Sequence, residues 1–266
     1  MSLAAAVGAD IQPPASVFGE RWLVLEHAGG DRPDVLQIAP VARRLRDSLM
    51  STWPAPIPEW LCGHTADGAP SLDPHLAVAP IVDAGQPYAT GQLLGVGLVA
   101  PRGIEPRVAP ALAAALARLS GPLNEIELRL GSRGVWLLRH TPVPRSAALK
   151  PSRYAGRRSD SENWMTVTPI ALDRHARGSA RGAAVRALIS AACLRAGLPP
   201  PAEITVVSGS PLREVPGAQA DWARPRALAG RPLTHAHLRF AQPVRGPVIL
   251  GAGRFLGLGL CLPAEA

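Results

Sequence analysis

Apolar and polar positions change period several times along the chain, and each change marks an element. Trp22-Leu23-Val24-Leu25-Glu26 reads as a short strand. Ile38, Val41, Ala42, Leu45 and Leu49 then recur at helical spacing, with Arg43, Arg44 and Arg46 on the remaining face, until Pro54, Pro56 and Pro58 forbid continuation. Two apolar runs, 75–82 and 92–100, predict buried strands on either side of Asp83-Ala84-Gly85-Gln86-Pro87. Leu112, Leu116 and Leu119 mark a second helix ended by Gly121. Residues 125–130 alternate and turn through Gly131-Ser132-Arg133-Gly134 into Val135-Trp136-Leu137-Leu138-Arg139. Strand, helix, strand, strand, helix, strand, with one extra strand, is the order of a ferredoxin-like split βαβ unit.

The pattern then starts again. Residues 142–163 hold Pro142, Pro144, Pro151, Arg145, Lys150, Arg153, Arg157 and Arg158 with little apolar content, which predicts a basic linker. Trp164 to Ile170 alternates as a strand, and Val185, Leu188, Ile189, Ala192 and Cys193 form the apolar face of a helix stopped by Gly197 and Pro199. Residues 203–208 and 235–240 read as strands around an irregular stretch, 210–233, and a glycine-rich strand closes the chain. The expected fold class is α+β. Two tandem ferredoxin-like (RRM-like) modules, 19–141 and 164–266, follow a loose leader, 1–18, and the second module has its second helix shortened or lost.

The closing stretch carries Gly251, Gly253, Gly257 and Gly259 around Arg254 and Phe255. Glycines at that spacing let something large approach the backbone, or serve only a crowded hairpin. A dinucleotide fingerprint would need an opening helix, whereas these glycines run into an apolar strand ending at Pro263.

Charge divides the chain more sharply than any other bulk property. Through residue 128 there are 8 arginines against 13 acids, and beyond it 19 arginines and Lys150 against 7 acids. Such a basic second half is expected to meet a polyanion. There is no apolar run of membrane-spanning length and no charged segment before an apolar core at Met1, so neither a span nor a signal peptide is indicated, and a cytoplasmic location is expected. The 3 cysteines, Cys62, Cys193 and Cys261, are odd in number and far apart, which speaks against a disulfide framework or a zinc ribbon.

Strand alternation puts His235, His237 and Arg239 on one face, where they could meet phosphates or water. A metal held by the two histidines is disfavoured because no third ligand lies near in sequence. His175 stands between Arg174 and Arg177 with Arg181 beyond, where a phosphate and a proton acceptor would both be wanted. His64 and His75 flank a turn in the acidic half and are structural histidines or further candidate bases. No cofactor is expected. The residues alone point to a binder of RNA and do not specify an enzyme.

Two such modules ending in Gly251-Ala252-Gly253-Arg254-Phe255-Leu256-Gly257-Leu258-Gly259 resemble the RAMP superfamily of CRISPR-associated RNA-binding proteins. More narrowly, residues 168–175, Val244-Arg245-Gly246-Pro247, Gly63-His64 with Asp67-Gly68, and Pro74-His75-Leu76-Ala77 followed by Gly95-Val96-Gly97-Leu98 resemble the type I-G (formerly I-U) protein. That protein fuses a backbone subunit of the fifth Cas type to a repeat-cutting endoribonuclease of the sixth, and the resemblance covers about Arg21 to Pro263, mainly the endoribonuclease part. It implies metal-independent cleavage of precursor repeat RNA by 2′-hydroxyl attack, with the guide RNA passed to the other subunits of a type I effector complex. A guide-RNA-binding capping subunit is the alternative. The resemblance points to His64 as base while local charge points to His175, with His75 third. Arg174, Arg177, Arg239, His235, His237, Arg245, Arg254 and the four loop glycines are the expected RNA contacts.

Overall fold

Strand β1 (Phe18–Gly30) is the spine of the first half of the chain, and it is far longer than the five residues whose pattern announces it. The computed structural model describes residues 12–155, 160–176 and 181–264. Within them the chain is a mixed α+β structure with two antiparallel sheets.

In the first sheet β2 (Ala77–Val82), β3 (Leu93–Pro101), β4 (Ile126–Arg129) and β5 (Val135–Thr141) join β1 in the order β2-β3-β1-β5-β4. The pattern explains the layers. Ile126 and Leu128 are buried while Glu127 and Arg129 are exposed, as period-two alternation requires of a sheet with one wet face. Every residue of β2 is buried although the strand lies at an edge. Helix α1 (Ile38–Ser51), the 147–149 turn and a 3-10 turn at Arg254–Leu256 all pack against it. Helix α2 (Glu59–Cys62) is one turn after the prolines. Helix α3 (Glu105–Leu119) begins well before its leucine pattern. Pro106 sits in its first turn, where no intrahelical donor is needed, and Pro110 lies inside it, so the sequence hides the helix start.

The second sheet is built from β6 (Ser161–Thr166), its continuation β7 (Ile170–Ala171), β8 (Glu203–Val207), β9 (Leu233–Val244) and β10 (Cys261–Pro263). β9 lies between β6 and β8, and β10 flanks β6. Leu188, Ile189, Ala192 and Cys193 of α4 (Arg181–Arg195) share one core with Ala236, Leu238 and Phe240 of β9, which is the expected use of the apolar face. All three cysteines are free.

The halves are closely joined. Ile249, Leu258, Leu260 and Leu262 belong to the core of the first half, not to that of the second. Arg102 donates to Ser16 O at 2.7 Å, to Glu20 at 2.9 Å and to Gly246 O at 3.0 Å, tying β3 to the approach to β10. Two expectations change here. Residues 14–17 are not loose, since Pro14 O and Arg245 N, Ser16 N and Arg245 O, and Val17 N and Ala196 O are hydrogen bonded. The described part of the basic linker is also packed, with Leu149 and Tyr154 buried and Tyr154 stacked on Trp22 at 5.2 Å.

Candidate functional site at the seam between the halves

The prolines that end α1 return the chain through α2 to Gly63, whose left-handed φ of 72° and missing Cβ let the His75 ring lie against it. An added Cβ would stand 2.8 Å from that ring. From the other half the Arg254–Leu256 turn lays Phe255 on the opposite side of His75, ring centroids 3.4 Å apart. Arg254 lies over Phe255, its guanidinium carbon 4.3 Å from the ring centroid, and donates to Gly251 O at 3.1 Å. His64 is exposed beside them, and Arg46 of α1 reaches under the turn to donate to Cys62 O. Three of the candidates, His64, His75 and Arg254, therefore meet at one seam although they are far apart in sequence.

Their chemistry differs with burial. His75 is 9% exposed, and its Nδ1 is buried without a hydrogen-bond partner. Burial first, then the charges of Arg46 and Arg254 with His64 also contributing, pushes its pKa down to about 3 despite a backbone hydrogen bond at Asp73 that raises it. His75 is therefore a neutral ring held in a stack, too weak a base to take a proton from a hydroxyl at neutral pH. His64 Nδ1 lies 3.1 Å from Cys62 O. A carbonyl only accepts, so Nδ1 carries the hydrogen and Nε2 presents its lone pair. Burial lowers the pKa of both Arg46 and Arg254, and neither forms an ion pair among the described residues. Two part-buried cations without a carboxylate favour an incoming anion.

His175 sits on another loop. Its Nε2 donates to Gly230 O at 2.8 Å, so it too has a free ring nitrogen, with exposed Arg174 beside it. Asp173 next to it is paired with Arg195, and Arg254 feels both charges, so this loop borders the seam. Arg177 lies outside the described residues.

The strand-face reading needs correction at His235. It is 0% exposed, with Nδ1 2.9 Å from Thr166 Oγ1 and Nε2 3.2 Å from Pro216 O, because residues 210–222 fold over that end of β9. Burial pushes its pKa down to about 4, and it offers nothing to a phosphate. His237 and Arg239 remain exposed, with Asn163, Glu203 and Thr205 around them, and Arg239 pairs with Glu203 at 3.1 Å. Arg245 is likewise taken up inside the protein. Its side chain is 17% exposed and holds Asp160 through two contacts at 3.2 Å, with Glu20 at 3.7 Å.

The glycines are crowded by their own chain. A Cβ at Gly257 would lie 2.5 Å from Pro80 Cδ and 2.8 Å from Ile38 Cγ2, and one at Gly251 2.5 Å from Ala171 O. At Gly259 it would meet Leu250 O at 2.0 Å, and at Gly253 the Leu258 side chain at 2.8 Å. The close neighbour expected at this loop is the first half of the same protein at Gly257, and the second half's own residues at Gly251, Gly253 and Gly259. Thr168 holds the loop there, donating to Gly257 O at 2.8 Å and accepting from Leu260 N at 3.0 Å. Sequence reading passed over Thr168, Phe255 and Arg46 as site residues. The only signal for Arg46 was its place on the polar face of α1.

A family model described as CRISPR-associated protein, GSU0054 family, matches residues 32–263. No curated protein matches the chain.

Proposed function

Because the chain belongs to the CRISPR-associated GSU0054 family, we propose that it is a repeat-RNA endoribonuclease whose reaction takes place at the seam. The observation that carries this reading is the meeting of His64, with Nε2 free, and the unpaired cations Arg46 and Arg254. His64 Nε2 takes the proton of the 2′-hydroxyl upstream of the cut. That oxygen attacks phosphorus, the bond to the 5′-oxygen breaks, and the leaving oxygen is protonated, giving a 2′,3′-cyclic phosphate and a 5′-hydroxyl. Arg46 and Arg254 stabilise the charge that builds on the phosphoryl oxygens. His75 and Phe255 hold Arg254 in place by stacking.

Two further parts of the reading belong with it. The strand order β2-β3-β1-β5 of the first sheet, and β8-β9-β6-β10 of the second, support two tandem ferredoxin-like modules of the RAMP kind. Type I-G membership, with guide RNA delivered to other subunits of a type I complex, is the narrower assignment.

Incubation with repeat RNA in excess chelator tests the chemistry, against the same RNA carrying one 2′-deoxy nucleotide upstream of the cut. Cleavage of the first and survival of the second is expected, and His64→Ala compared with His175→Ala assigns the base. Binding without cleavage of any cognate repeat overturns the nuclease and leaves a guide-RNA-binding subunit. Cleavage of the 2′-deoxy substrate means an external nucleophile.

A further inference from the structure

The flank of α1 turned away from the seam carries a second basic site. Gln37, Pro40, Val41 and Arg44 face Arg129, Leu130 and Arg133 across a depression of about 200 Å³. The turn between β4 and β5 is built to present Arg133. Gly131 and Gly134 take φ of 66° and 86°, and Asp31 fastens the turn by accepting from Val135 N at 3.2 Å. Arg44 and Arg133 are exposed and form no ion pair among the described residues, while Arg129 has only an exposed pair with Glu127 at 2.8 Å. The Gln37 side-chain oxygen is buried and accepts no hydrogen bond. Three guanidinium groups and an uncommitted amide thus surround an apolar floor.

That convergence is not explained by bulk charge alone: Arg129 and Arg133 come from the basic part of the chain, but Arg44 comes from residues 1–128, which hold 8 arginines against 13 acids. Nor is it isolated from the seam. On a helix, residues 44 and 46 point about 200° apart and 43 lies between them, so Arg44, Arg43 and Arg46 mark a path around the exposed side of α1, on which Asp47 pairs with Arg43 at 3.7 Å. Arg46 ends that path beneath His64, at Cys62 O.

We propose that the depression formed by Arg44, Arg129, Arg133 and Gln37 seats a ribose-phosphate unit of RNA whose backbone crosses α1 from the seam. The guanidinium groups take the phosphate oxygens, Gln37 turns its amide to the sugar hydroxyls, and Pro40 and Leu130 carry the apolar face of the ribose. This inference rests on RNA being the ligand, as proposed above. The site binds and does not react.

The test compares wild type with the double variants R44E/R133E and R44K/R133K, using two probes: repeat RNA blocked by a 2′-deoxy nucleotide at the cut, and a short oligouridylate. For R44E/R133E, affinity for both probes falls about tenfold or more at low salt, and the slope of log affinity against log salt becomes shallower by about 0.7 for each phosphate lost. R44K/R133K keeps the wild-type slope. The thermal midpoint is unchanged in both variants. An unchanged affinity and slope in R44E/R133E overturns the seat, as does failure of the wild type to bind either probe, and an acidic segment of a partner protein then becomes the occupant to test. Binding of oligouridylate that depends on both arginines, without cleavage of any repeat, upholds the seat and overturns only the nuclease.

Discussion

The two halves carry their strands in a similar order but differ in what they place before the last strand. In the first half α3, an amphipathic helix, covers its own sheet with Val108, Leu112, Ala115 and Leu116. In the second, residues 245–260 hold only the Arg254–Leu256 turn, and Ile249, Leu258 and Leu260 there join the other half's core while Val248 and Leu250 stay in their own. A helix needs only one buried stripe and satisfies its own backbone. A glycine-rich turn has neither property, and is stable only where another surface supplies both packing and hydrogen bonds. The difference teaches that the loop is the part which makes one body of two halves, and that the candidate site is a product of that joining.

Each half also buries one histidine, and these are not equivalent. His235 has partners on both ring nitrogens and serves the second half alone. His75 has a bare Nδ1 and a ring held between Gly63 and Phe255, one from each half.

The largest effect expected from breaking this contrast is on chemistry. His64→Ala lowers the single-turnover cleavage rate about 10²- to 10⁴-fold, the usual contribution of a positioned base, with repeat-RNA affinity retained. His235→Gln leaves that rate within a few-fold if the second half's histidine is structural. Equal losses in both variants, at equal fraction folded, would remove the distinction between them.

Next comes the seam itself. Gly257→Val forces a branched side chain into a left-handed backbone and against Pro80 and Ile38, and costs about 2–4 kcal/mol of stability by denaturant unfolding. Gly253→Val, at φ of −94°, meets only the Leu258 side chain and costs about 1–3 kcal/mol. The reverse ranking would show that backbone conformation at 257 is not what holds the loop.

Acid sharpens the comparison of the two histidines. Both have folded pKa values below the ordinary 6.5, at about 3 for His75 and about 4 for His235. Between 6.5 and those values the unfolded chain binds the extra proton, so stability is full above pH 6.5 and is lost as pH falls toward the folded pKa. From pH 6.5 to 5 each group removes about 2 kcal/mol. Denaturant midpoints measured across that range should fall less steeply in His75→Phe and in His235→Gln than in wild type. Identical pH slopes in all three proteins would mean that neither ring is held neutral by the fold.

The smallest effect is expected on the open face of the second sheet. Arg239→Ala breaks an exposed pair with Glu203 and changes stability by less than about 1 kcal/mol. If that face touches RNA, the salt slope of binding becomes shallower by about 0.7. A stability loss larger than any change in affinity would make Arg239 a structural residue like Arg245.

Much of this protein is determined by its sequence alone, because the determining forces are local. Period two in 126–129, helical spacing in 38–49 and 185–193, and prolines after α1 fix elements without help from elsewhere, and the structure has strands and helices at those places. The closing glycines were legible as special for the same reason. Boundaries were less so. β1 extends well beyond its apolar centre because β3 and β5 pair with it on both sides, and α3 begins among prolines, Pro106 in its first turn and Pro110 inside it, which hide its start.

What the tertiary structure decided is which side chains face water and which face each other. Alternation put His235 with His237 and Arg239, but residues 210–222 cover one end of the strand and leave the other open. Arg245 was among the expected RNA contacts, and the fold instead lays Asp160 and Glu20 beside it. The glycines promised a close neighbour without saying whose atoms those were. His64, Arg46 and Arg254 carry no mutual signal in sequence because they are brought together by burial of Phe255 and Leu258, a driving force that is proportional to area and blind to chain position.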